Sequence, residues 1–211
     1  AGKYEIVAAT IGANNQPVTL TIPVNVTYSA VSNLQMVTVD SGKLYVGVTG
    51  TNGKTTTTAL LGAVLEAAGW PVEVAGNIGR PLTSLVGSID DAAWIVCELS
   101  SFQLEDVETL RPRVAVLTNL EPDHIDRHGT FEAYRDAKLR IFERARAKVV
   151  PRGLGVDGIE FSADDPLPAE PLIPGRHNRE NAAAATAVAR AAGVPDDAIA
   201  RALRAFPGVP H

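Results

Sequence analysis

The sequence predicts an α/β fold, a mostly parallel sheet flanked by helices, with a small N-terminal β segment. Three observations predict it. From Lys43 onward, short apolar runs alternate with Ala- and Leu-rich stretches of helical periodicity, the pattern of βαβ units. The composition shifts near residue 42, which separates a segment of residues 1–41 from a domain of residues 42–211. A glycine-rich turn sits between the first apolar run and the first helical stretch of that domain.

Taken in order, residues 4–10, 17–28 and 34–39 are rich in Val, Thr and Ile and read as strands. Asn14-Asn15 and Ser32-Asn33 supply turn residues between them, so a small antiparallel meander is expected. In the second piece, residues 44–48 read as a buried strand and 56–68 as a helix ended by Gly69 and Pro71. Residues 72–75, 93–98 and 114–119 read as further strands, each followed by polar or glycine residues where a site can form. Helical periodicity covers 131–147. Residues 149–175, rich in Pro and Gly, are expected as loops with short strands before helices over 178–192 and 196–206. No internal repeat is present.

Composition limits the partners. With 211 residues and 45% hydrophobic content, the chain can bury a sizeable core, which argues against disorder. A formal net charge of -5 gives no bulk attraction to polyphosphate. Nucleic acid is therefore excluded as a partner, and a phosphate ligand needs a local site. The single cysteine, Cys97, forms no internal disulfide and fits a reducing compartment. No signal peptide opens the chain, and its apolar runs fall short of the roughly 20 residues that span a bilayer. A cytoplasmic monomer with no membrane partner is expected.

The strongest local motif is Gly50-Thr51-Asn52-Gly53-Lys54-Thr55, between an expected strand and an expected helix beginning near Thr56. Glycines let backbone N–H groups turn toward phosphate oxygens, and the helix N-terminus adds a favourable field. Lys54 adds a mobile positive charge, and Thr55 offers a hydroxyl to Mg²⁺. The bland alternative is a chain-reversing turn, disfavoured because strand, loop and helix come in the required order. The motif makes the fold P-loop NTPase-like. It departs from the ordinary pattern, since Val48 stands where the first glycine of a P-loop belongs. The run GVTGTNGKTTT resembles the ATP loop of the Mur ligases and the related folylpolyglutamate synthases.

Further segments extend that resemblance. In CELSSFQLE, Glu98 closes an expected strand, where a carboxylate suits Mg²⁺; the alternative is a helix cap. Ser100 and the residues after it resemble the D-glutamate-adding branch of the family. In TNLEPDHIDRHG, a histidine among acids is by itself more often a solvated cluster than a metal site. The resemblance implies that His124 helps hold a second metal ion, with Glu98 as the matching carboxylate. It assigns nothing to His128, which is expected at the surface or on the substrate side. Lys138, in YRDAKLRIF, is ordinarily a solvated helix lysine. The resemblance implies that it is carbamylated and binds metal. Asn77, in the turn GNIG, would contact the nucleotide-linked substrate or serve only a tight turn. In GRHNRENAAAA, Asn178 and Asn181 stand i and i+3 on one helical face, where the family places adenine. Otherwise Asn178 is an N-cap.

The resemblance implies an ATP-dependent carbon–nitrogen ligase of peptidoglycan precursor synthesis. ATP and Mg²⁺ would be the cofactors, and a UDP-linked muramoyl peptide and D-glutamate the substrates. Lys54, His124 and Lys138 would be its catalytic residues, and Ser100 and Asn77 would face the substrate. The phosphates would fall to residues Gly50 to Thr56. Residues 1–41 do not match the family's UDP-binding domain, and the chain stops before its amino-acid domain. The expectation is a central domain that binds Mg-ATP weakly or not at all by itself and does not complete ligation, with 1–41 a fused or replacement piece. A folylpolyglutamate synthase-like domain and a non-catalytic module in a fusion are the alternatives.

Overall fold

The computed structural model describes residues 2–11, 17–26, 44–85, 89–90, 92–107 and 110–209. Strands β1 (Gly2–Ile11) and β2 (Pro17–Val26) pair antiparallel, Gly2 opposite Val26 and Ile11 opposite Pro17. They form a two-stranded sheet of their own. The third strand of the expected meander, at 34–39, lies outside the described residues.

The main sheet has six strands: β3 (Leu44–Thr49), β4 (Val72–Gly76), β5 (Trp94–Glu98), β6 (Val114–Leu117), β7 (Ala147–Pro151) and β8 (Ile159–Phe161). Their order is β4-β5-β3-β6-β7-β8, and every pairing is parallel. Helices α1 (Lys54–Ala67), α2 (Ser101–Glu105), α3 (Ile125–His128), α4 (Phe131–Leu139), α5 (Arg176–Ala192) and α6 (Asp196–Ala205) connect or cover them. Among the described residues no helix is long and apolar enough to cross a membrane.

The near-continuous apolar runs of β3, β5 and β6 follow from burial on both faces. Alternate residues point to opposite sides. Val46, Val48, Val96 and Val116 pack with Leu61 and Val64 of α1 and with the alanine-rich face of α5. Tyr45, Ile95, Cys97 and Leu117 face the other core, with Leu104 of α2 and Ile141. Gly47 belongs to that second face, where a Cβ would stand 3.0 Å from Ile141 Cδ1.

The helix expected over 131–147 is shorter. It stops at Leu139, a 3₁₀ turn spans Arg140–Phe142, and β7 starts at Ala147. Ile141 and Phe142 prolong the apolar period because the second core buries them, and residues 147–149 pair with β6 at 114–116. Tertiary pairing here overrides local helical pattern.

β3 lies between β5 and β6, and the chain leaves it first toward β4 and later toward β6. Such a reversal opens a crevice beyond the carboxyl ends of the strands. Register places Val48 beside Glu98 and Thr49 beside Leu117, so three strand ends converge there.

Candidate active site

The loop after β3 is stitched to the end of β6. The Thr51 N–H donates to the Asn119 carbonyl (3.1 Å), and the Asn52 N–H donates to Asn119 Oδ1 (2.8 Å). Thr118 Oγ1 and Asn119 Nδ2 both donate to the Asn52 carbonyl, at 2.6 and 3.0 Å. Two glycines are required sterically. A Cβ on Gly50 would stand 1.9 Å from Thr118 Oγ1, and one on Gly53 would stand 2.1 Å from Asn181 Oδ1. Gly53 caps α1 with φ 77, a left-handed conformation that starts the helix at Lys54, two residues before the expected start. Lys54 Nζ donates to the Thr51 carbonyl (2.8 Å). Burial pulls its ammonium below the usual lysine range, and Glu98 and Asp123 partly restore it.

Glu98 is 1% exposed at the end of β5. Its Oε2 accepts from Thr55 Oγ1 (2.9 Å) and its Oε1 from Asn77 Nδ2 (3.1 Å). The backbone N–H of Asn77 also donates to the Glu98 carbonyl (2.9 Å). Asn77 thus holds the carboxylate in place. Glu98 is not the cap of the following helix: Ser100 is, in a capping box with Gln103. The Ser100 hydroxyl accepts from the Gln103 N–H at 3.2 Å and donates to Gln103 Oε1 at 3.0 Å, so it is used within the protein.

Lys138 is 2% exposed, far from the solvated lysine its helix would suggest. Its Nζ donates to the Gly50 carbonyl (2.7 Å) and lies 4.7 Å from the centre of the Tyr134 ring. Burial, and then the charge of Lys54, lower it to about 7. The Tyr134 hydroxyl is 3.0 Å from Thr51 Oγ1, which bonds in turn to the backbone of Glu121.

His124 caps α3 with φ 50, the one positive-φ residue other than glycine among those described. Its half-exposed ring packs on Phe102 (5.1 Å between centroids), with Nε2 3.5 Å from Asp123 Oδ2. Thr55 and Glu98 touch directly and Lys138 reaches the loop, whereas His124 is placed through its contacts to Asp123 and Phe102. Among the described residues no three His, Cys, Asp or Glu side chains gather as a metal cluster. His128 corrects the sequence expectation, for its imidazole has no exposed surface. The helical turn of α3 directs it inward between α2 and α4, against Phe102 and Tyr134.

Asn178 and Asn181 share one cleft of about 620 Å³ with Asn52, Gly53 and Thr56 of the loop. That volume lies in the range of small-molecule sites. Asn178 Nδ2 donates to the Pro174 carbonyl (2.7 Å), and the N-cap of α5 is Gly175, which removes the capping alternative for Asn178.

The residues suit a magnesium nucleotide. A loop whose Gly50 and Gly53 leave no room for a Cβ leads into α1's N-terminus, and a buried carboxylate beside a hydroxyl offers hard oxygen donors. Sequence reasoning missed Thr118, Asn119 and Tyr134. Thr118-Asn119 directly follow β6 at the crevice, and Tyr134 precedes Lys138 by four residues on α4; both signals were legible.

Residues 48–152 match the Mur ligase middle domain, and the chain belongs to the Mur ligase family. Among its curated relatives is the UDP-N-acetylmuramoylalanine--D-glutamate ligase of Acidobacterium capsulatum, 41% identical over 78% of this chain and 44% of the relative. The enzyme of the same name from Gloeobacter violaceus is 40% identical over 81% of this chain and 45% of its own length. The chain therefore spans less than half of these relatives. MurF from Acinetobacter baumannii shares the fold with a TM-score of 0.68 at 21% identity, covering 88% of this chain and 51% of that one. E. coli FolC, solved in complex with DHPP and ADP, does so with a TM-score of 0.62 at 20% identity, covering 84% and 60%.

Proposed function

We propose that residues 42–211 bind Mg-ATP as the central domain of a ligase that adds D-glutamate to UDP-N-acetylmuramoyl-L-alanine. The contact of Thr55 with Glu98, at the mouth of a loop whose Gly50 and Gly53 have no room for a Cβ, carries this reading. The names of relatives about 40% identical support the substrates.

In this reading, Gly50 to Thr56 cradle the phosphates, and Asn178 and Asn181 take the adenine. Thr55, Glu98, His124 and a carbamylated Lys138 would hold magnesium, which when bound would offset negative charge between phosphates and the substrate carboxylate. Lys54 exchanges its bond to the Thr51 carbonyl for a phosphoryl oxygen. Asn77 keeps Glu98 aimed and borders the substrate. The precursor's carboxylate oxygen attacks the γ-phosphorus and ADP leaves. The amine of D-glutamate then attacks the acyl carbon of the acyl phosphate, phosphate leaves, and the nitrogen gives up a proton.

Lys138 is suited to carbamylation because burial and then the charge of Lys54 lower its amine to about 7, which favours the neutral, nucleophilic form. The nitrogen lone pair would bond to the carbon of CO₂ and lose a proton, which turns a cation into an anion. Calorimetry tests the whole. Although an isolated central domain is expected to bind weakly, the chain should bind ATP measurably in the presence of Mg²⁺, and Lys54→Ala should weaken binding at least tenfold. Absence of Mg-ATP binding by the unsubstituted chain would overturn the assignment. Mass analysis of Lys138 in bicarbonate showing only a plain amine would overturn the carbamate.

A further inference from the structure

Beside the nucleotide loop, a second group of polar side chains is assembled, its serine and histidine sealed from solvent and its carboxylate at the rim. His128 Nε2 lies 3.0 Å from Ser101 Oγ, and its Nδ1 lies 3.0 Å from Glu105 Oε1. The imidazole has no exposed surface and Ser101 is 2% exposed. Serine, histidine and carboxylate in this order have the spacing of a nucleophile relay. A hydroxyl closed off from substrate cannot attack one, so the arrangement must serve another purpose. The carboxylate approaches off the N–H axis, so it biases the imidazole proton toward Nδ1 electrostatically and not through an aligned hydrogen bond. Nε2 is then left to accept from the Ser101 hydroxyl.

The placement of these groups shows what they hold. Helix α2 starts three residues after Glu98, and α3 has His124 as its N-cap and His128 as its last residue. The His128 ring stacks on Phe102 of α2 (5.3 Å, 4° between planes), and Phe102 also carries the His124 ring. Its edge meets Tyr134 of α4 at 5.3 Å, and the Tyr134 hydroxyl reaches Thr51 of the phosphate loop. One imidazole therefore ties together the element that follows Glu98, the element that presents His124, and the tyrosine beneath the loop.

We infer that His128 is a positioning residue: clamped by Ser101 and Glu105, it sets where His124 stands relative to Glu98 and so tunes magnesium-dependent nucleotide affinity. This rests on the nucleotide-binding reading above. Partners that orient a metal-binding side chain typically change metal affinity by about 10–100-fold when removed.

The test uses the full chain, His128→Gln and Glu105→Gln. Glu105 is partly exposed, so its substitution keeps the fold if the first variant does not. Nitrogen-15 spectra of the imidazoles, recorded without nucleotide, should show His128 protonated at Nδ1. In Glu105→Gln that tautomer should lose population, and the His124 signals should move. Titration with ATP should show Mg²⁺-dependent affinity falling about tenfold in both variants, with Mg²⁺-free affinity within about twofold. Unmoved His124 signals in Glu105→Gln overturn the inference. So does an equal fall of both affinities, the mark of general loosening. If the unsubstituted chain binds no Mg-ATP, the functional reading fails instead, and the imidazole signals still decide whether His128 places His124.

Discussion

Replacing Lys138 with methionine should stabilise the protein near pH 7 and lose that advantage as pH rises. Burial and Lys54 lower the lysine from 10.5 to about 7. At about 1.4 kcal/mol per pH unit, keeping the ammonium charged in the fold opposes folding by up to roughly 5 kcal/mol. A base depressed in the folded state leaves the unfolded chain binding more protons between those two values, so stability rises with pH across that window. The opposing contribution is complete below about pH 7 and gone above 10.5. Methionine removes it but abandons the Gly50 carbonyl, at a cost of about 1–3 kcal/mol. The variant should therefore be more stable by roughly 2 kcal/mol near pH 7, with the gap closing by about 2 kcal/mol near pH 9. Urea unfolding of both proteins in carbon dioxide-free buffer measures this. Curves for the two proteins that stay parallel from about pH 7 to about pH 9 would refute the argument.

Gly53→Ala should cost about 1–3 kcal/mol in thermal unfolding, because alanine resists φ 77 and its Cβ displaces Asn181; ATP titration should show weakened binding as well. Glu98→Gln keeps the shape of the carboxylate without its charge, so calorimetry should show the Mg²⁺ dependence of ATP binding abolished while Mg²⁺-free binding persists. Ser100→Ala should lower stability by about 0.5–2 kcal/mol through the lost cap, with ATP affinity unchanged; a large fall in precursor binding at unchanged stability would show the substrate role that the family resemblance implies.

Much of the site could be read along the chain because its parts are local. The loop from Gly50 to Thr56 needs glycines, a lysine and hydroxyls at fixed offsets between one strand and one helix, and all of these are adjacent in sequence. Glu98 was legible for a related reason, since a carboxylate closing a buried apolar run falls at the crevice of a parallel sheet. The roles of Ser100 and His128 were harder to separate. The Ser100-Gln103 spacing already spells a capping box, whereas nothing near His128 says that its ring turns inward. The overlong helix at 131–147 failed because Ile141 and Phe142 mimic helical period while serving a core built from distant strands.

The sequence by itself determined the strand–loop–helix order, the α/β class and the glycine-rich loop after the first strand of the main sheet, because backbone periodicity and glycine chemistry act over a few residues. Only the tertiary structure decided that Lys138 reaches the Gly50 carbonyl across 88 positions, that Asn119 braces the loop, and that His128 is locked against Ser101. Those contacts depend on which strands become neighbours. Strand neighbourhood is set by the packing of two whole cores, a property that no short window of residues carries.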